Sequence, residues 1–402
     1  MLMLVRISAH RDLRVDLARG VALLFIFIDH IPGNLLSDYT LRNVALCDAT
    51  EAFVLLAGYA AGLSYGNTAD TRGWIFAAAD VLRRAATLYV AHVLVFVLVT
   101  AQVGYSAELL NPAYVEEMLL DPFATEPYRA LLEALLLRYQ PNLLNILPLY
   151  VALLLMLAPA LALRRRPLLL MGLSIAGYIA VRISGVNLPN WIGGGWFLNP
   201  LAWQVLFFAG CVLGYTPPNG RPLGVPRIAP LRTAITAGAM LVVVLGATVM
   251  LAFWAVPDVA PGLPGRIARL LSSVDKTGLH PLRLLSILSL AWLVASFIPF
   301  DAAWLRGRLV APLVLMGQQG LPVFCAGILL SFLGRVILEQ NDGALAQAAT
   351  NLFGFAVLVL MAMITAWFDR AARSRRRSAA EVPASAPPVL VPSPTSTQES
   401  HP

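Results

Sequence analysis

Long apolar stretches separated by short polar segments run along most of the chain. Ten of them reach or approach the roughly 20 mostly apolar residues that a helix needs to cross a bilayer. Their approximate bounds are 16–33, 48–66, 80–104, 143–163, 168–186, 197–215, 232–255, 281–300, 310–335 and 346–368. The pattern predicts an all-α, polytopic integral membrane protein with about ten transmembrane helices.

Composition agrees with this class. Hydrophobic residues make up 58 % of the 402 residues, charged residues make up 13 %, and the mean hydropathy is +0.74. Because soluble domains carry about 25 % charged residues, a soluble globular protein is excluded. Cys47, Cys211 and Cys325 lie far apart without metal-ligand spacing, so we expect unpaired thiols and no metal site.

Basic residues fall mostly in alternate gaps between the apolar stretches. Of the 29 Lys and Arg residues, 20 lie before the first stretch or after the second, fourth, sixth, eighth and tenth. Seven lie in the opposite loops, and Arg182 and Arg335 lie near the ends of stretches. Since Lys and Arg favour cytoplasmic loops, both termini are predicted to be cytoplasmic. The net charge of +7 is then a topology signal, and we expect no nucleic-acid partner.

The chain is predicted to have three parts. Residues 1–15 form a cytoplasmic segment, 16–368 form the transmembrane domain, and 369–402 form a basic and then disordered Pro/Ser-rich cytoplasmic tail. Outside the membrane, segment 113–138 has apolar residues at helical spacing. It is either an amphipathic segment on the outer face or over a cavity, or a connecting loop with one such helix.

The first apolar stretch contains a polar constellation. Arg19 and His30 are eleven residues apart, so on a helix they share one face and lie about 16 Å from each other. Asp29 precedes His30 in the same stretch. Ionisable groups at such depth usually mark a functional pathway. The alternative is that Asp29 and His30 only pack helices through hydrogen bonds.

Glu51, at the start of the second stretch, is predicted to orient His30. A carboxylate bound to one imidazole nitrogen fixes the tautomer and raises the basicity of the other nitrogen. Asp29 points about 100° away from His30 on a regular helix, so Glu51 is the better candidate, although Asp29 stays open. The small residues of AGYAAG at 57–62 are predicted to let two helices approach closely.

Several segments resemble a known family. The spacing of Arg19 and His30 resembles the membrane acyltransferase-3 superfamily. The run RDLRVDLARGVALLFIFIDHIPGN, followed by DATEAFVLLAGYAAGLSYG, resembles the OpgC family of osmoregulated periplasmic glucan succinyltransferases. Further segments resemble that family in the same order: NLLNILPLY, NPLAWQVLFFAG, DKTGLHPLRLL and MGQQGLPVFCAGILLS. Ser286 stands where the family pattern often has histidine, so we expect no acid–base role there.

The resemblance implies a function. It implies a ten-helix enzyme of the bacterial inner membrane that transfers an acyl group, succinyl or another, from cytoplasmic acyl-CoA to a hydroxyl of a periplasmic glucan or other glycan. His30 is then the catalytic centre and acts as a general base, while a covalent acyl-histidine is the alternative. Acyl-CoA is a co-substrate, and no permanently bound cofactor is expected. Membrane lipid is a further partner, and a homodimer is left open.

The same reading gives roles to other polar residues. Arginine suits the phosphates of CoA, and the candidates are Arg14, Arg19, Arg83 and Arg84. Lys276 and Arg283 either bind the distal carboxylate of a succinyl group or anchor the end of their helix and pair with Asp275. Asn145 or Gln204 is expected to donate to the oxyanion, and Trp203 with Gln204 to contact the sugar. His92 is predicted to pack between helices or face a cavity, and His280 is a second acid–base candidate.

A different class of function also explains the buried ionisable groups. In a proton-coupled transporter or a lipid or glycan flippase, Asp29, His30 and Glu51 relay protons and no acyl donor is needed. Release of free thiol from acyl-CoA in the presence of a glycan discriminates the enzyme from the transporter. A structural membrane subunit would leave the constellation in the first stretch unexplained.

Overall fold

The structure is a computed structural model that describes residues 12–217, 228–255 and 274–381. Within these ranges the chain is helical apart from its connections, and the one extended pairing is an isolated bridge between Pro189 and Gly195. Several predictions fall outside the described residues: the topology charges Arg6, Arg11, Arg221 and Arg227, most of the second outer loop, and the tail from residue 382.

A helix coincides with each predicted membrane stretch. The first five are α1 (Leu13–Asp29), α3 (Ala49–Thr71), α4 (Trp74–Leu109), α8 (Ile146–Ala160) and α9 (Pro167–Ser184), with a short α2 (Leu41–Val44) after α1. The rest are α10 (Pro200–Gly214), α11 (Ala229–Ala255), α12 (Pro281–Phe297), α13 (Ala311–Gln318), α14 (Gly320–Gln340) and α15 (Ala344–Glu381). The predicted stretch 310–335 is therefore two helices, because the chain leaves helical geometry at Gln319.

The apolar exterior identifies a membrane protein. Six described helices are long and apolar enough to cross a membrane: α4, α8 with its following turn, α9, α11, α14 and α15. Large apolar side chains on their outer faces are exposed, among them Leu94, Ile183 and Leu352. The predicted all-α polytopic membrane fold is thus confirmed, while the count of ten crossings stays a prediction.

Glycines let α3 and α10 pack with their backbones in contact. A Cβ added at Gly58 would lie 2.1 Å from Phe207 O, and one at Gly62 would lie 2.1 Å from Cys211 O. Gly214 approaches Tyr59 O in the same way from the side of α10. The close helix approach predicted from AGYAAG is confirmed, and it fixes α3 against the middle of the bundle.

We expect Gly58→Ala to destabilise the protein, because the new methyl group would force α3 and α10 apart. Overpacking of this kind costs about 1–3 kcal/mol, and more where the obstacle is backbone. Gly172→Ala is the matched control, because a Cβ added at Gly172 on α9 meets nothing within 4 Å. Thermal unfolding in detergent measures both variants. Equal midpoints for the two would contradict the close packing.

Three short helices cover the end of the bundle at which His30 lies. They are α5 (Ala113–Glu117), α6 (Asp121–Thr125) and α7 (Pro127–Leu135), and they replace the predicted segment 113–138. Tyr114 is fully buried and donates to Glu339 at 2.6 Å, which fastens this layer to α14. Glu117 and Met118 line a cavity beneath the layer, so this segment covers a cavity.

Candidate active site

His30 lies immediately after the last residue of α1, and hydrogen bonds to α15 hold the loop that follows it. Gln347 on α15 donates from Nε2 to Gly33 O at 2.8 Å and accepts from Leu35 N–H at 3.2 Å. Asn34 and Asn351 exchange two amide hydrogen bonds at 2.9 and 3.0 Å. Gly33 has a φ of +75°, which glycine adopts without strain. The turn after His30 is thus tied to the last helix.

One hydrogen bond fixes the state of the His30 ring. Nδ1 lies 2.5 Å from the carbonyl oxygen of Ile26, one helical turn earlier. A carbonyl oxygen only accepts, so Nδ1 carries the proton, and in the neutral ring Nε2 is then an acceptor. In the described part of the chain no side chain or backbone group binds Nε2. His30 therefore presents a free basic nitrogen.

The ring of His30 faces a cavity of about 440 Å³, here called the His30 cavity. This volume lies within the range of about 300–1,000 Å³ in which ligand pockets fall. The polar residues that line it come from several helices and loops: Asp29, His30, Arg42, Thr50, Glu117, Asn142, Asn145, Lys276 and Arg335. A base, an amide and cations therefore converge on one space.

Glu51 does not bind His30, which corrects the predicted orienting contact. Glu51 is fully buried, and its carboxylate accepts from Arg283 Nε at 2.6 Å and from Asp48 N–H at 2.9 Å. Asp48 in turn binds Lys276 at 2.7 Å and Arg283 at 3.0 Å. Two acids and two cations thus form one closed cluster at the start of α3, and Arg283 does not line the His30 cavity.

Asp29 does not orient His30 either. Its carboxylate accepts from Thr40 Oγ1 at 2.5 Å, on the short segment that leads into α2. The orienting group is the backbone carbonyl of Ile26. Since every helical residue has a carbonyl four residues before it, no side-chain pattern could have indicated this partner.

A second cavity of about 230 Å³ lies toward the other end of α1 and is here called the Arg19 cavity. Arg19 donates to Leu56 O at 3.1 Å and to Gly317 O at 3.4 Å, and Asp16 lies 4.0 Å away. Arg84 lines the same cavity, and the remaining polar lining residues are Ser64, Tyr65, Tyr150 and Gln318. Two guanidinium groups therefore face one space, as a site for phosphate or another anion requires.

Two of the four arginines predicted to bind a donor do not reach the Arg19 cavity. Arg14 binds Asp12 at 2.8 Å and donates to Ile298 O at 2.9 Å beyond the end of α12. Arg83 is exposed and binds Asp80 at 3.0 Å. Of the four predicted arginines, Arg19 and Arg84 therefore line the Arg19 cavity, and Arg14 and Arg83 do not.

The two cavities come close together along α3 but share no lining residue. On α3, Thr50 lines the His30 cavity and Phe53 lines the Arg19 cavity, about 4.5 Å apart along the helix axis. Phe53 stacks on Phe324 of α14 with ring centroids 6.1 Å apart. About one turn of α3 thus separates the two cavities, and the aromatic pair lines the Arg19 cavity.

Trp203 and Gln204, predicted to contact a sugar, lie inside the helix bundle. Trp203 is fully buried and donates to Lys276 O at 3.1 Å. Gln204 accepts from Ser174 Oγ at 2.6 Å and donates to Ser174 O at 2.8 Å. Both side chains hold α10 to its neighbours, and neither lines the His30 cavity. Asn145 and Lys276 do line the His30 cavity.

The two other histidines that the structure describes, His92 and His280, do not line the His30 cavity. His92 is buried on α4, and neither ring nitrogen has a partner among the described residues. His280 accepts from Leu282 N–H at 3.2 Å and so caps α12.

Asp275 lies in the loop before α12. Burial raises the pKa of its carboxyl, but hydrogen bonds from Arg182 and Gly278 N–H outweigh burial and hold that pKa below its ordinary range.

Arg42 and Phe197 line the His30 cavity although the sequence pattern did not single them out. Arg42 belongs to α2, a single turn between two apolar stretches, and resembles an ordinary loop residue in the sequence. Phe197 is half exposed in the loop before α10. Its exposed ring is a candidate surface for stacking a sugar. No local signal marks either residue, because only the fold brings them beside His30.

Comparison with known sequences identifies the family. A sequence model described as OpgC protein matches residues 11–370, which is most of the chain. The chain therefore belongs to the OpgC protein family, and this membership indicates glucan acyltransferase activity. A search of curated proteins and a search of solved structures gave no match.

Proposed function

We propose that this member of the OpgC protein family is a transmembrane O-acyltransferase that moves a succinyl group from cytoplasmic acyl-CoA to a hydroxyl of a periplasmic glucan. The observation that carries the proposal is the His30 ring, whose free Nε2 faces a ligand-sized cavity. In this proposal the His30 cavity faces the periplasm and the Arg19 cavity faces the cytoplasm, as the distribution of basic residues favours. The location proposed is the bacterial inner membrane.

His30 acts as the general base in the proposed reaction. Nε2 takes the proton of a glucan hydroxyl while the hydroxyl oxygen forms a bond to the thioester carbonyl carbon. Asn145, whose amide faces the same cavity, donates to the oxyanion of the tetrahedral intermediate. The C–S bond then breaks, and His30 returns the proton to the CoA thiolate. The products are the glucan ester and free CoA.

The donor is proposed to bind in the Arg19 cavity. At about 230 Å³ this space is smaller than a typical cavity for a drug-sized ligand, so it suits the pantetheine arm and leaves the nucleotide at the cytoplasmic surface. Arg19 and Arg84 are proposed to bind its polar groups. The thioester must then pass from the Arg19 cavity, which Phe53 and Phe324 line, into the His30 cavity.

We expect Arg84→Gln to raise the KM for acyl-CoA about tenfold, because a charged hydrogen bond contributes about 1.5–3 kcal/mol. The adjacent Arg83→Gln is the matched control, since Arg83 is exposed and bound to Asp80. Steady-state kinetics with varied acyl-CoA at saturating glucan measures both. A larger effect at Arg83 than at Arg84 would contradict the proposed donor site.

Thiol release tests the proposed activity against the transporter alternative. Purified protein in detergent, given succinyl-CoA and glucan, is expected to release free thiol and to yield glucan carrying one succinyl mass increment. Proton-coupled uptake of glucan or lipid without acylation would favour the transporter. Among the described residues no hydrogen bonds connect Asp29, His30 and Glu51, so a proton relay through these three gains no support from their contacts.

A further inference from the structure

The cations that line the His30 cavity differ in what neutralises them. Lys276 Nζ binds the Asp48 carboxylate at 2.7 Å. Arg335 Nε binds the Glu339 carboxylate at 2.6 Å. Each of these side chains therefore has an acid of the protein as its partner, and little of its charge is left for a ligand.

Among the described residues no acid forms an ion pair with Arg42, although the Asp29 carboxylate attracts its charge from a greater distance. In the part of the chain that the structure describes, its guanidinium makes one hydrogen bond, from Nη1 to the backbone oxygen of Asp29 at 3.4 Å, and no ion pair. The Asp29 carboxylate is already bound by Thr40. A guanidinium has five N–H donors, so most of the donors of Arg42 are available. Of the three cations that line the cavity, Arg42 is thus the one that no acid of the described residues binds.

The position of this cation relative to His30 indicates what it binds. Its contact with Asp29 O places the guanidinium beside the residue that precedes His30, and both side chains line the same cavity. The planar guanidinium matches a carboxylate through two parallel charged hydrogen bonds. The His30 cavity therefore holds both a base and an available guanidinium, the two groups that an acyl thioester with a carboxylate at its far end requires.

We propose that Arg42 binds the carboxylate at the far end of the acyl group and so makes the enzyme select a dicarboxylic acyl group over an uncharged one of equal length. This inference rests on the acyltransferase function proposed above. Arg283, for which the sequence suggested the same role, is bound by Glu51 and Asp48 and does not line the cavity.

Donor selectivity tests the role of Arg42. The ratio of kcat/KM for succinyl-CoA to that for butyryl-CoA is measured with purified wild type, Arg42→Gln, Arg42→Lys and the control Arg129→Gln. Arg129 is exposed at the same end of the molecule and bound to Glu126, outside the cavity. Arg42→Gln is expected to lower the ratio about tenfold, at the lower end for a charged hydrogen bond because the guanidinium is solvent-accessible. Arg42→Lys should restore part of it, and Arg129→Gln should keep the wild-type ratio.

Each outcome has a distinct meaning. A wild type that prefers succinyl-CoA, with a preference lost in Arg42→Gln while butyryl transfer continues, supports the inference. A wild type that uses both donors equally, or an Arg42→Gln variant that loses both activities in proportion, overturns it and leaves the acyltransferase function intact. An effect of Arg42→Gln on the KM for glucan with either donor would assign the arginine to the acceptor and also overturn it. A wild type that transfers neither acyl group overturns the proposed function itself.

Discussion

Replacing His30 with alanine is expected to lower acyl transfer by roughly 10²–10⁴-fold, the contribution of a positioned general base. The ring is the group in the His30 cavity whose tautomer is fixed by a backbone carbonyl and whose other nitrogen is free. The KM for acyl-CoA should change little, because the proposed donor contacts lie in the other cavity. Thiol release and the mass of the product glucan measure the rate.

His280→Asn is the control for the His30 variant. His280 caps α12 through a hydrogen bond from Leu282 N–H, and asparagine is itself a good cap, so fold and activity should persist. A folded His30→Ala protein, judged by its elution profile and thermal midpoint, that transferred acyl groups at the wild-type rate would contradict the assignment of His30.

Replacing Glu51 with alanine is expected to destabilise the protein by about 3–5 kcal/mol, because it leaves the guanidinium of Arg283 buried beside one acid instead of two. Glu51 is fully buried, and its bond to Arg283 is 2.6 Å long. The expected result is a large fall in thermal midpoint. The surviving folded fraction should keep its turnover, since Glu51 does not bind His30.

Two further variants test the origin of that effect. Glu126→Ala removes the acid of an exposed ion pair with Arg129 and should cost less than about 1 kcal/mol. A double-mutant cycle between Glu51→Gln and Arg283→Gln should show that the two losses are not additive. A Glu51→Ala protein of wild-type stability and no activity would instead place Glu51 in the chemistry.

The helices were predictable from the sequence because the bilayer imposes long apolar stretches with basic residues between them. A close helix contact of α3 was also predictable, since AGYAAG at 57–62 brings small residues to a helix surface, but its partner α10 was not. The break at Gln319 was not, because residues 310–335 are apolar throughout and a local change in backbone angles leaves hydropathy unchanged. Residues 113–138 indicated helix but not their division into three short pieces.

The pairing of side chains in the site was less predictable. The sequence predicted that Glu51 orients His30. However, Asp48-x-x-Glu51 is also a capping box, in which the glutamate side chain accepts from the backbone N–H of Asp48 at the start of its own helix. That signal was available and indicates a structural role. Arg283 binds Glu51 and Lys276 binds Asp48, and the residues of each pair are more than 200 positions apart in the sequence. No local pattern specifies such pairs.

Arg19 and His30 lie on the same helix but line two different cavities, and this changes how their spacing is interpreted. The sequence predicted one face with both residues, which suggests a single continuous site. In the structure the two residues instead line two cavities that share no lining residue. A donor on one side and an acceptor on the other is the arrangement that the proposed reaction requires.

Transfer across a sealed membrane tests the central claim most directly. Protein is reconstituted into liposomes with glucan sealed inside, and succinyl-CoA is added outside. The glucan is then recovered, and its mass is measured by mass spectrometry. Molecules with the Arg19 end outward are expected to succinylate the enclosed glucan, and liposomes with His30→Ala should leave it unmodified. Enclosed glucan that stays unmodified while glucan supplied on the same side as succinyl-CoA is succinylated would contradict transfer across the membrane.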